Sequence, residues 1–147
     1  MNWLQEYDFS DAQKRSVVAG MKAMSSIDGD VDPQEVELIE AVAEGLEGEF
    51  TLELSVFDTV DSKEQFLYWV TFVALVDTNI HDTEWALLSE YVEALGVQKT
   101  VQHFIDVVGE SFLTQVFADS ELLAIWVPRL KDDLRISEEV VERLLAE

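Results

Sequence analysis

Three stretches of this chain set a short polar side chain three residues ahead of Glu or Gln: Ser10-Asp-Ala-Gln13, Asp32-Pro-Gln-Glu35 and Asp61-Ser-Lys-Glu64. That spacing lets the two side chains satisfy each other's backbone N–H groups at the open start of a helix. Each stretch therefore predicts a helix N-terminus. Pro33 follows its cap at the first helical position, where a missing N–H costs nothing. Beyond it, Val36, Ile39, Val42, Ala43 and Leu46 recur at helical spacing, opposite an acidic stripe of Glu37, Glu40, Glu44 and Glu47. Further helices are predicted at 10–26, 62–77, 82–95, 98–108, 110–117, 119–132 and 137–146, with a shorter element near 51–59. No strand-like alternation interrupts them. The expectation is a compact all-α bundle of about seven to nine helices.

The chain also repeats itself. Ile27-Asp-Gly-Asp-Val-Asp-Pro-Gln-Glu35 lies over Val76-Asp-Thr-Asn-Ile-His-Asp-Thr-Glu84 at an offset of 49, which is 77 less 28. The match continues through Leu38 and Leu87, Ile39 and Leu88, Ala43 and Val92, and Leu46 and Leu95. Two related helix-loop-helix units, packed face to face, would bury both apolar stripes, with the C-terminal helices closing the bundle. A length of 147 residues fits one domain over 1–147. Pro128 is expected to kink or end the helix containing Trp126, and Ser137 to cap the last one.

Nine Lys and Arg stand against 31 Asp and Glu, a net charge of -22. Such a chain repels phosphate backbones, so direct nucleic-acid binding is excluded and cations or a basic protein are its natural counterparts. Salt adaptation or plain solubility would explain the charge equally well. With no cysteine, disulfides, thiolate catalysis and Cys-based metal sites are excluded, and a cytoplasmic location is the expectation. The first residues lack the basic and apolar regions of a signal peptide. The longest apolar run, from Phe66 to Val76, is far short of the ~20 residues a membrane span needs and reads as a buried helix.

At Asp28-Gly29-x-Val31-x-x-x-Glu35, followed by spaced Leu and Ile, the chain resembles the Asp-Gly loop of TerB-like domains, named for tellurite resistance. The second copy, Phe72-Val-Ala-Leu-Val-Asp77 through Glu84 to Ala94-Leu95-Gly96-Val97, is similar to the same motif with its closing Leu-Gly turn. The likeness is strongest over 15–108. It implies an all-helical fold related to the N-terminal portion of a membrane-anchored DnaJ-type co-chaperone. It further implies a non-enzymatic role in stress response, metal-ion sensing and protein complexes.

Asp28, Asp30 and Asp32 alternate as the first ligands of an EF-hand do, and oxygen ligands suit calcium or magnesium. The EF-hand itself does not fit, because Pro33 and Ile39 fall where its Gly and Glu belong. Two readings stay open. The loops are helix caps and turns, or they hold a divalent ion through Asp28, Asp30, Asp32 and Glu35, joined by Asp77 and Glu84. His81 is a cap or a borderline ligand, and His103 a partly buried structural residue. Most of the aromatics, Trp69 and Trp126 included, are expected in the core, while Trp85 and Trp3 are candidate contact residues. Glu37, Glu40, Glu44 and Glu47 with Trp85 make up the candidate protein interface. No nucleophile elbow, phosphate loop or His-Glu-x-x-His is present, so no enzyme is expected. The leading expectation is an acidic module that binds divalent cations, a partner protein or both. The alternative is an acidic inhibitor that imitates nucleic acid.

Overall fold

The computed structural model describes residues 9–27, 33–43, 50–75, 79–117 and 119–146, apart from the side chains of residues 34, 35, 38 and 42. Seven helices occur among them: α1 (Asp11–Ser26), α2 (Pro33–Ala43), α3 (Val60–Leu75), α4 (Asp82–Leu95), α5 (Val101–Val116), α6 (Ser120–Leu134) and α7 (Glu138–Leu145). A 3-10 turn at Leu54–Val56 supplies the short element expected near 51–59. No strand is present among the described residues, and the fold is the expected all-α bundle.

The repeat is visible in the helix boundaries. α3 begins and ends 49 residues after α1 (60 less 11, 75 less 26), and α4 begins 49 after α2 (82 less 33). The two units meet through α1 and α3, whose inner faces bury Val17, Val18, Met21, Phe66, Leu67 and Val70. Gly20 makes that approach possible, because a Cβ there would lie 2.6 Å from the ring of Phe66. Phe66 in turn packs between Phe57 and Tyr91, with ring centroids at 4.7 and 5.4 Å. The segment before α3 is laced to α1: Ser16 Oγ donates to the Glu53 carbonyl and accepts from its N–H, and Gln13 Nε2 donates to the Val56 carbonyl at 3.0 Å. These bonds pair backbone groups of a connecting segment that is only partly buried where it crosses α1.

Ser10 and Gln13 form the expected capping box on α1. The box expected at Asp61 and Glu64 sits two residues earlier. Thr59 and Ser62 exchange hydrogen bonds at 3.1 and 3.2 Å, placing Asp61 in the first turn. Ser62 is fully buried, which favours a small neutral capping partner over a carboxylate, and Glu64 is left to pair with Lys99 at 2.7 Å. Gly96 closes α4 in the left-handed conformation at φ 67°, the turn expected after Leu95.

In the C-terminal third one expectation is corrected and one is narrowed. The helices expected at 98–108 and 110–117 are one continuous α5, because Gly109 is a contact point and not a break. Its missing side chain admits Ile136, whose Cγ2 would lie 2.7 Å from any Cβ. Of the kink or end expected at Pro128, the end does not occur, since α6 runs on to Leu134. Ala124, whose carbonyl loses its helical partner, is solvent-exposed, so water can replace the bond. Ser137 caps α7 as expected, accepting from the Val140 N–H. No helix among the described residues is long and apolar enough to cross a membrane.

Candidate functional site

The second acidic loop is visible from Asn79 onward. Glu84, on the first turn of α4, is 2% exposed, and its Oε1 accepts the His81 backbone N–H at 2.9 Å. His81 is thus the N-cap residue, half-buried, with its own side chain also engaged. Three contacts from the α6–α7 corner pin this loop. The Ile80 N–H donates to the Asp133 carbonyl at 2.8 Å, the Arg135 guanidinium binds Asp82, and the same guanidinium lies 5.6 Å over the Trp85 ring. Arg135 can reach both because it occupies the left-handed C-cap of α6, at φ 58°. Hydrogen bonding from Arg135 holds the Asp82 carboxyl below the usual carboxylate range.

These contacts place the residues selected from the sequence. Trp85 is half-buried against the core and covered on one side by Arg135. Glu37 and Glu40 are exposed on the outer side of α2, as an interface would require. Glu44 and Glu47 lie outside the described residues, as do Asp28, Asp30, Asp32 and Asp77 and the side chain of Glu35. Among the described residues no three His, Asp or Glu side chains converge as a metal centre.

Near the first unit, a shallow cleft of about 370 Å³ between α1 and α2 is lined by Lys22, Ser25, Ser26, Val36, Ile39 and Glu40. Lys22 Nζ also lies 4.6 Å over the Phe50 ring. The mixture of one ammonium, one carboxylate and hydroxyls can hold a small polar group without offering a nucleophile and base in contact.

The remaining polar groups mostly join helices. Asp106 Oδ1 accepts from Gln102 Nε2 and the Ser137 N–H, both at 2.8 Å, tying α5 to the start of α7. Glu110 binds Arg143 of α7 through two bonds. His103 is half-buried as expected, and burial with the nearby Lys99 ammonium pushes its pKa down. Its Nε2 has no hydrogen-bond partner, in common with Trp69 Nε1 and Gln65 Oε1.

One functional candidate eluded the sequence reading. Trp126, expected in the core, is 38% exposed on the outside of α6, beside Leu122 at 39% and Ile125 at 50%. Phe117 stacks on its ring at 5.7 Å with the planes 9° apart, and the Arg129 guanidinium lies 5.5 Å over it. Leu122, Ile125, Trp126 and Arg129 are spaced i, i+3, i+4 and i+7, so they line one helical face. The signal was present as a second apolar stripe on α6, but periodicity alone does not tell which stripe faces the core.

Comparison with protein-family models, with curated proteins and with solved structures finds no match for this chain.

Proposed function

We propose that this chain is a non-enzymatic, TerB-like helical module of the cytoplasm that binds a basic partner protein in a stress-linked assembly. The observation that carries the reading is where the charge lies. Glu84 is the one buried carboxylate among the described residues, and it serves as a helix cap. The other described acidic groups face solvent at least in part, and the described ion pairs neutralise few of them. In a chain whose net charge is -22, described carboxylates placed in this way contribute to a field that attracts and orients a basic protein. Lysozyme serves as the basic test protein in calorimetric titrations between about 50 and 200 mM salt, where counter-ion release makes affinity fall steeply. Binding that weakens linearly on a log-log plot supports the reading. Absent binding at the lowest salt contradicts it.

A second reading, divalent-cation binding, rests on the alternating carboxylates of the first acidic loop and their counterparts in the second; Glu84, the one of these whose side chain is described, is engaged as the capping partner of His81. Calcium or magnesium would be held by Asp28, Asp30, Asp32 and Glu35, with Asp77 and Glu84. After chelation, a site confined to the folded state raises the melting temperature at low ion concentration, whereas sodium chloride at matched ionic strength reproduces simple screening. The exposed pair Glu37 and Glu40 is also compatible with an inhibitor that imitates nucleic acid. That variant of the partner reading requires duplex DNA to displace the chain from its basic target.

A further inference from the structure

We propose that the outer face of α6, formed by Leu122, Ile125 and Trp126, docks an amphipathic helix of a partner protein that carries Lys or Arg on either side of its apolar stripe. The inference rests on the partner-binding reading above and gives that partner a place and a shape.

α6 buries only Val127 and Leu134 fully, while Leu123 and Leu130 pack partly against the core. Its exposed flank would ordinarily be polar in a surface helix. Here it presents three large apolar side chains in one stripe. Trp126 is held by the stacked Phe117 ring and by the Arg129 guanidinium over it, so less side-chain freedom remains to be lost on binding. Large apolar anchors at i, i+3 and i+4 are how a helix presents itself to an apolar groove or a second helix.

Charge selects the occupant. Exposed acids bracket the stripe at both ends, Asp119 and Glu121 before it and Asp132 and Asp133 after it. The nearby cations are engaged: Arg129 on Trp126, Lys131 with Glu138, and Arg135 with Asp82. A second copy of this chain would bring another -22 to the contact, and an anionic bilayer would repel it. A helix with an apolar stripe between basic residues complements both the face and its ends.

The test is a titration of the full chain with two synthetic peptides of Leu and Lys. They share one composition, but only the first has its leucines on one helical face. The expected result is that the amphipathic peptide binds at least about tenfold more tightly than the scrambled one. Ile125→Ser with Trp126→Ala should remove that advantage, while Glu37→Gln with Glu40→Gln weakens both peptides alike. Circular dichroism and a melt verify that each variant is folded, and Leu122→Gln alone replaces the double substitution if that one is not. Equal binding of the two peptides, insensitive to the α6 variants, overturns this site and leaves the acidic-surface reading standing. Absence of binding by both peptides overturns both. A dimer in sedimentation equilibrium that Ile125→Ser/Trp126→Ala dissociates makes a second copy the occupant and overturns the proposal. So does binding to phosphatidylglycerol vesicles lost in the same variant.

Discussion

α3 and α6 are 16 and 15 residues long, yet α3 buries eight side chains and α6 two. α3 runs between α1, α4 and α5, so apolar residues on nearly every side of it find a neighbour. α6 packs mainly on α5 and α7, with the Ile80 loop at its C-terminal end, and much of the rest of its surface faces water. An apolar residue on α3 is therefore core by position. The same residue type on the far side of α6 is available for contact. Hydrophobicity predicts burial only when the number of packed neighbours is known, and the two helices separate these quantities within one molecule.

Substitutions can break that contrast. Phe66→Ala removes a fully buried ring between Phe57 and Tyr91 and is expected to cost about 3–5 kcal/mol in urea denaturation. Gly20→Ala pushes a methyl group into the same ring and should cost about 1–3 kcal/mol by the same measurement. Glu84→Ala, which removes the carboxylate that accepts the His81 N–H in the α4 capping box, is expected to lower stability by about 0.5–2 kcal/mol. Trp126→Ala gives up one ring stack and one guanidinium contact at the surface, and a cost of about 1 kcal/mol or less is expected. A loss as large as that of Phe66→Ala would place Trp126 in the core and end the comparison.

The smallest effect is in pH. The folded-state pKa of His103 is depressed below its ordinary 6.5 by burial first and by Lys99 second, with Glu64 and Asp106 opposing. Below 6.5 the unfolded chain then takes up more protons than the folded one. The stability this residue contributes is thus present above that value and lost as pH falls toward the folded pKa. Melts of the wild type and His103→Leu just above and below pH 6.5 should show a shallower acid-side slope in the variant.

Much of the architecture was legible in the sequence because its signals are local. The Ser10 box, the Ser137 cap, the Gly96 turn and the 49-residue repeat each depend on residues close in the chain or on a direct register, and all reappear in the helices. What was not legible depended on packing. Gly109 reads as a helix break until Ile136 is seen to need its space. Asp61 reads as a cap as readily as Thr59, and burial of Ser62 decides between them. The candidate site divides in the same way. His81 as a cap was legible from its place in the repeat, whereas Glu84, read as a candidate ligand, is its capping partner, and Arg135 over Trp85 joins residues 50 positions apart (135 less 85), which no local pattern announces.

Amide chemical-shift mapping of the full chain, titrated with the amphipathic Leu/Lys peptide, tests the central claim that a basic helical partner is received on α6. The account predicts that the largest shifts fall within Ser120–Leu134 and at Phe117, with α2 nearly unchanged. Shifts concentrated on Glu37 and Glu40, or spread evenly over the acidic surface, would contradict it.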